Sequence, residues 1–144
     1  MELFTHNKVA TMREFVNKIA KEKILDVLIS GYIDCENVPI FHPMYERMYF
    51  IFDKLILELL ISSDGYVKSK PILKIEKWFE IDEDDKFSLM SIYSQLFKTE
   101  QEIKVESVEL EDKAFSSITI SYSEGEIRRE ALIDSKNFFG FSFF

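Results

Sequence analysis

Cysteine, histidine and glycine are all scarce in this chain, and each shortage closes off a class of chemistry. The single cysteine, Cys35, excludes an internal disulfide and every multi-cysteine zinc site, and it suits a reducing compartment. The two histidines, His6 and His42, stand in no metal-ligand spacing, so structural roles are expected of both. Four glycines, at positions 31, 65, 125 and 140, are isolated from one another. They form no phosphate-cradling loop, no dinucleotide fingerprint and no nucleophile elbow. With three prolines and four glycines among 144 residues, 47% apolar, the chain is neither collagen-like nor disordered. No long hydrophobic run is present. The best, MYFIFDKLILELLI over residues 48–61, is interrupted by Asp53, Lys54 and Glu58, whereas a membrane helix needs roughly 20 mostly apolar residues. The opening MELFTHNK lacks the basic start, apolar run and cleavage site of a secretory signal, so a cytoplasmic location without membrane contact is expected.

What is present suffices for one core, and the expected organisation is a single domain over residues 1–144. Val9, Met12, Val16 and Ile19 recur at helical spacing and predict an N-terminal amphipathic helix. KILDVLISGYID (23–34) either extends this helix through Leu25, Leu28 and Ile29 or turns into a strand, with Gly31 as a stop in both cases, and continued helix is the favoured reading. NVPIFHP (37–43) holds two prolines and predicts a loop. MYFIFD and LILELLIS read as strands, and Asp64-Gly65 as a hairpin turn with strands on both sides. PILKIEKWFEI (71–81) fits either a helix with Pro71 in its first turn or an edge strand. DKFSLMSIYSQLFK, with Phe87, Met90, Ser94 and Phe97 in phase, predicts a central buried helix over 84–98.

The last third alternates with period two through Ile103, Val105, Val108, Leu110, Ile118, Ile120, Tyr122, Ile127, Ala131 and Ile133. A phase slip at Glu106-Ser107 predicts a β-bulge, and Ser123–Glu126 a hairpin turn. Arg129 falls on the apolar phase and must either mark a register break or reach a carboxylate. KNFFGFSFF predicts a last strand, with Phe139, Phe141 and Phe143 on one face and Phe138 and Phe144 on the other, paired inside the sheet or covered on both sides. The expected fold class is α+β, an N-terminal and a central helix packed on one mainly antiparallel sheet.

Charge is distributed unevenly. Residues 76–112 hold twelve carboxylates against four lysines, a balance of −8, which is the net charge of the whole chain. EIDEDD (80–85) alone supplies Glu80, Asp82, Glu83, Asp84 and Asp85. One or two of these acids serve as caps of the predicted 84–98 helix, each worth about 0.3–1 kcal/mol; the remainder are surplus to capping. A calcium loop is excluded by Lys86 at a ligand position and by the missing glycine. A carboxylate pair such as Glu76 and Glu80, one helical turn apart, is the only acid–base candidate, and any acidic surface offers such pairs. No catalytic residue, metal ligand or cofactor site is expected. In the N-terminal segment four acids nearly cancel Lys8, Arg13, Lys18, Lys21 and Lys23, so direct nucleic-acid binding is not expected either. The remaining use of the acids is attraction of a cationic partner.

A small acidic chain that runs helix first, then strands and turns, and ends in ALIDSKNFFGFSFF, resembles the bacterial immunity proteins that neutralise contact-dependent and other polymorphic toxins. That collection spans many folds and shares no functional residues. The resemblance implies a role, binding and occlusion of a cognate toxin, with a nuclease as the expected class, since its active site presents a basic surface. The candidate contact residues are Glu80, Asp82, Glu83, Asp84 and Asp85 together with Glu102, Glu106, Glu109, Glu111 and Asp112, with Trp78 and Tyr93 as aromatic anchors. The competing expectation is a small-ligand domain or enzyme with a carboxylate pair in a pocket between helix and sheet.

Overall fold

Apolar spacing at the N-terminus produces a twenty-residue helix, α1 (Glu2–Lys21). It buries Met12, Phe15 and Ile19, and Phe15 meets Phe50 edge-on with ring centroids 5.1 Å apart. The computed structural model describes residues 2–36, 38–111, 113–137 and 140–143, with side chains from residue 12 onward and that of Asn137 excepted. Val9 and His6 of the predicted helix, and Phe138, Phe139 and Phe144 of the predicted last strand, therefore lie outside the described side chains.

Beyond α1 the chain is mainly β: β1 (Asp26–Asp34), β2 (Ile40–Ile51), β3 (Ile56–Ile61), β4 (Val67–Ile72), β5 (Lys86–Ser91), β6 (Lys104–Leu110), β7 (Ser117–Glu124), β8 (Ile127–Asn137) and β9 (Gly140–Phe143), with a short helix α2 (Tyr93–Phe97) after β5. Two antiparallel runs make up the sheet. One has the order β4-β3-β2-β1-β5 and the other β9-β8-β7-β6. They join where β9 meets β2 in parallel at Tyr45 and Gly140. The sheet curls into a half-barrel around one apolar cluster that takes residues from both runs and from both helices. α1 lies against β4 and β6, and α2 against β8 and β1. The expected mainly antiparallel sheet is present, but the architecture is mainly β where a more evenly mixed α+β fold was expected.

Two departures share one cause. The segment read as continued helix over 23–34 is mostly β1, and six residues of the helix predicted over 84–98 form β5, leaving only the five residues of α2 as helix. β1 is covered on both faces, and β5 carries apolar side chains on both, although Leu89 of its outer face stays exposed. Val27 and Ile29 enter the core while Ser30 is buried on the opposite face, and Phe87 lies under Phe79 while Ile92, just past β5, enters the core. A strand apolar on both sides loses its two-residue alternation and imitates a buried helix. Gly31 stands inside β1 rather than stopping it, because a Cβ there would lie 2.2 Å from the carbonyl oxygen of His42. The loop expected over 37–43 ends at Pro39, and Pro43 is a rung of the ladder opposite Gly31. Ile92 N–H donates to the Val27 carbonyl at 2.7 Å, so the odd residues of β1 turn their backbone toward β5, and this register asks no hydrogen bond of Pro43.

Other expectations hold. Strands flank Asp64-Gly65, and the β6–β7 register shifts between Val105 and Ser107; of the segment 71–81, expected as helix or edge strand, only Pro71 and Ile72 lie on the edge strand β4, and residues 73–81 form neither. The turn between Glu124 and Ile127 is the predicted hairpin. β9 is paired inside the sheet, with Phe141 buried. Arg129 reaches neither a carboxylate nor a register break: its guanidinium donates to the carbonyl of Lys98 at 2.9 Å.

Buried tyrosines bind α2 to the second run. Tyr122 donates to the Phe97 carbonyl at 2.6 Å and Tyr93 to that of Gln101 at 2.8 Å. Burial pushes the hydroxyls of Tyr49, Tyr93 and Tyr122 above the usual tyrosine value of 10.0. The unfolded chain ionises first as the pH rises through 10, so these groups leave stability unchanged below that pH and reduce it above. Urea midpoints are expected to be level with respect to tyrosine up to pH 9.5 and to fall beyond it, with phenolate absorbance appearing together with unfolding. Phenolate absorbance from all six tyrosines while the far-ultraviolet signal stays native would contradict the burial.

Candidate functional site

The chain between β4 and β5 crosses the outer face of the first run as a strap, and the candidate site is built on it. β4 and β5 occupy opposite edges of that run, so the connection must traverse β3, β2 and β1. Trp78 marks the middle of the crossing. Its indole N–H donates to the Ser30 hydroxyl at 3.0 Å, and the Arg47 guanidinium lies 4.5 Å from its ring centroid. Phe79 packs edge-on against Trp78 at 5.1 Å and against Phe87 at 5.8 Å and Tyr32 at 6.4 Å. Tyr32 stacks in turn on His42 at 4.8 Å. These contacts follow from the ladder, which sets His42, Tyr32 and Phe87 side by side on three adjacent strands.

Beneath the strap lies a buried polar group set that sequence reasoning missed. Arg47 pairs with Glu58 at 3.3 Å, and the Glu58 side chain is 8% exposed. Tyr49, opposite Glu58 in the ladder, is fully buried, and its hydroxyl has no hydrogen-bond partner among the described residues. Desolvation is the main cause of its raised pKa; nearby Ser30 offsets part of it and the Glu58 charge adds to it. The available signal was Glu58 in the middle of LILELLI: a charge within an apolar strand needs a partner.

Past Phe79 the strap emerges as the acidic turn. Asp85 N–H donates to the Asp82 carbonyl at 3.0 Å, closing a turn in which Asp82, Glu83 and Asp84 are exposed, as is Glu80 before it. No helix begins here, so the capping role expected for these acids is overturned: α2 starts at Tyr93 and has no acid in its first turn. None of the five carboxylates pairs with a cation among the described residues, nor does any group of acids, histidines and cysteines there form a metal cage.

The remaining predicted contact acids lie elsewhere. Glu102 stands near the other end of β5, where it lines an open groove of about 400 Å³ with Asp26, Ser91 and Glu100. Six strand residues at about 3.3 Å each separate that end from Asp85 by roughly 20 Å, about twice the screening length of roughly 8–10 Å at physiological salt. Glu106, Glu109 and Glu111 follow β6, a different sheet edge. Cations accompany three of these acids: Lys23 lies 3.3 Å from Glu102, Arg128 3.9 Å from Glu106 and Lys113 2.9 Å from Glu111. The Lys113 hydrogen bond and charge lower the Glu111 pKa. Asp112 lies outside the described residues. Tyr93 is 9% exposed and its hydroxyl is engaged within the fold, whereas Trp78 is half-buried in the strap. The structure thus brings Trp78 together with Glu80–Asp85 and separates both from the β6 acids.

Comparison with protein-family models, curated protein sequences and solved structures finds no match. No helix among the described residues is long and apolar enough to cross a membrane.

Proposed function

We propose that the chain acts by binding another protein, as an immunity-type inhibitor that covers the cationic active-site surface of a cognate bacterial toxin, a nuclease being the class whose phosphate-binding lysines and arginines fit best. The observation that carries this reading is the acidic turn: Glu80 and Asp82–Asp85 stand together without a cation from a described residue, on a strap held by Trp78 and Phe79. A rigid, single-sign projection attracts a positive surface before contact and repels a negative one. Exposed Ile40 and Val38, 54% and 70% accessible, sit at the β1–β2 turn, the end of the sheet from which β5 starts. They supply apolar contact once the partner has docked. The β6 acids, paired with Arg128 and Lys113, contribute less to this attraction than the turn does.

The test is association kinetics with the product of the neighbouring reading frame in the source genome, purified as a stoichiometric complex. The combined variant Asp82→Asn, Glu83→Gln, Asp84→Asn, Asp85→Asn is expected to slow association about tenfold or more at low salt and to flatten its salt dependence. An on-rate indifferent to both the substitutions and salt would remove the electrostatic basis. A small-ligand or enzymatic role would instead use the groove with Asp26, Glu100 and Glu102, and substitutions in the turn would leave it untouched.

A further inference from the structure

Among the described residues three strands, β4, β5 and β6, pair with a neighbour on one side only, and the sequence protects only two of these edges. β4 carries Lys68, Lys70 and Pro71 and lies against α1. β6 carries Lys104, Glu106 and Glu109, has a bulge, and also lies against α1. Charges, proline, a bulge and a covering helix are the devices that stop an edge from accepting another strand. β5, KFSLMS, has no such device beyond Lys86 at its first position, and Leu89 in its middle is 42% exposed.

Its free hydrogen-bonding groups can be assigned. Ile92 N–H donates to Val27, and antiparallel alternation then turns the backbone groups of Met90, Ser88 and Lys86 toward β1 and those of Phe87, Leu89 and Ser91 outward. No described residue bonds these outward groups. Acids stand at both ends of the strand: the 82–85 turn at its start, and Asp26, Glu100 and Glu102 in the groove beside Ser91, with Lys23 offsetting only Glu102.

We infer that β5 is a docking edge for an extended segment of the partner, about six residues long, which adds to the sheet as a strand and carries a basic side chain at each end. This specifies how the protein binding proposed above is accomplished, and it rests on that reading. The charge pattern selects the occupant. A segment with two basic ends meets acids at both, whereas a second copy of this chain would bring two such acid-bracketed edges together, each on a molecule of net charge −8.

The probe is a capped hexapeptide, Arg-Thr-Val-Thr-Val-Arg, whose length of about 17 Å between its end residues matches β5. NMR titration is expected to shift the amides of Phe87, Leu89 and Ser91 and to slow their hydrogen exchange. N-methylation of the peptide's alternate amides on the pairing side is expected to weaken binding about tenfold or more, since an edge that loses backbone bonds loses its main attachment. Leu89→Pro, at an outward amide, is expected to do the same while keeping the melting temperature. Ser88→Pro, at an inward amide, is expected to lower that temperature. Full affinity of the N-methylated peptide, or no protection at the three amides with millimolar peptide, overturns strand addition. The two readings separate in the remaining arms. N-methylation without effect, but loss of binding when the peptide ends are changed to glutamine, refutes the edge and keeps the acidic capture. Binding that needs the backbone but ignores end charge refutes the basic-ended occupant. Sedimentation showing a dimer of the free chain that Leu89→Pro dissolves assigns β5 to a second copy and also overturns the proposal.

Discussion

Gly140→Ala is expected to cost about 3 kcal/mol or more of folding stability, well above the typical surface substitution. Gly140 has a φ of +114°, a region that side chains rarely adopt. A Cβ on it would lie 2.4 Å from the Tyr45 carbonyl carbon, 2.5 Å from its oxygen and 2.7 Å from the Glu46 nitrogen. All three are backbone atoms of β2, which cannot rotate away as a side-chain tip can. Backbone strain and overlap act together at Tyr45 with Gly140, the ladder pair that joins the two runs of the sheet among the described residues. Gly125 supplies the comparison. Its φ is also positive, +60°, but a Cβ there meets nothing within 4 Å, so Gly125→Ala is expected to cost only about 1 kcal/mol. Urea denaturation of the two variants checks this, and equal midpoints would mean that β9 does not approach β2 as closely as described.

Arg47→Leu is expected to destabilise the fold by about 3 kcal/mol at pH 7. The substitution leaves the Glu58 carboxylate in a site where its side chain is 8% exposed, without its counter-ion and beside the fully buried Tyr49. It also takes away the cation over Trp78, a contact worth about 1 kcal/mol, which weakens the strap. The penalty comes from leaving a buried carboxylate without its partner. Arg47→Leu combined with Glu58→Leu is expected to recover most of the loss, because an apolar pair in place of a buried ion pair is commonly tolerated. No recovery in the double variant would show that Arg47 acts through packing on Trp78 alone.

The strands of the second run were legible because water covers one of their faces. Ile118, Ile120 and Tyr122 are buried between partly exposed neighbours, so their period of two survives in the sequence, and so does its slip at Val105–Ser107. β1 and β5 were not legible, since both carry apolar side chains on two faces, with the strap packed over Tyr32 and Phe87. That cover is itself a tertiary feature: nothing local in PILKIEKWFEI announces that Trp78 will reach Ser30, nearly fifty residues earlier in the chain. Of the candidate site, the acidic turn and Trp78 could be read directly from EIDEDD and its flank. Their separation from Glu102 and the β6 acids could not, because only the placement of β5 and β6 on different sheet edges decides it.

The Tyr45–Gly140 seam between the two antiparallel meanders has a kinetic consequence. Within each meander, successive strands pair through short connections, apart from the strap, and such local pairing closes quickly. The Tyr45–Gly140 pair spans nearly two-thirds of the chain, so its closure carries a larger entropic penalty and is expected late, after the transition state has formed. A weakened tie should then show itself in the unfolding limb of a chevron plot, with refolding rates little changed. The native lifetime of the molecule is accordingly set at this seam, while the speed with which it first assembles is set by the hairpins on either side.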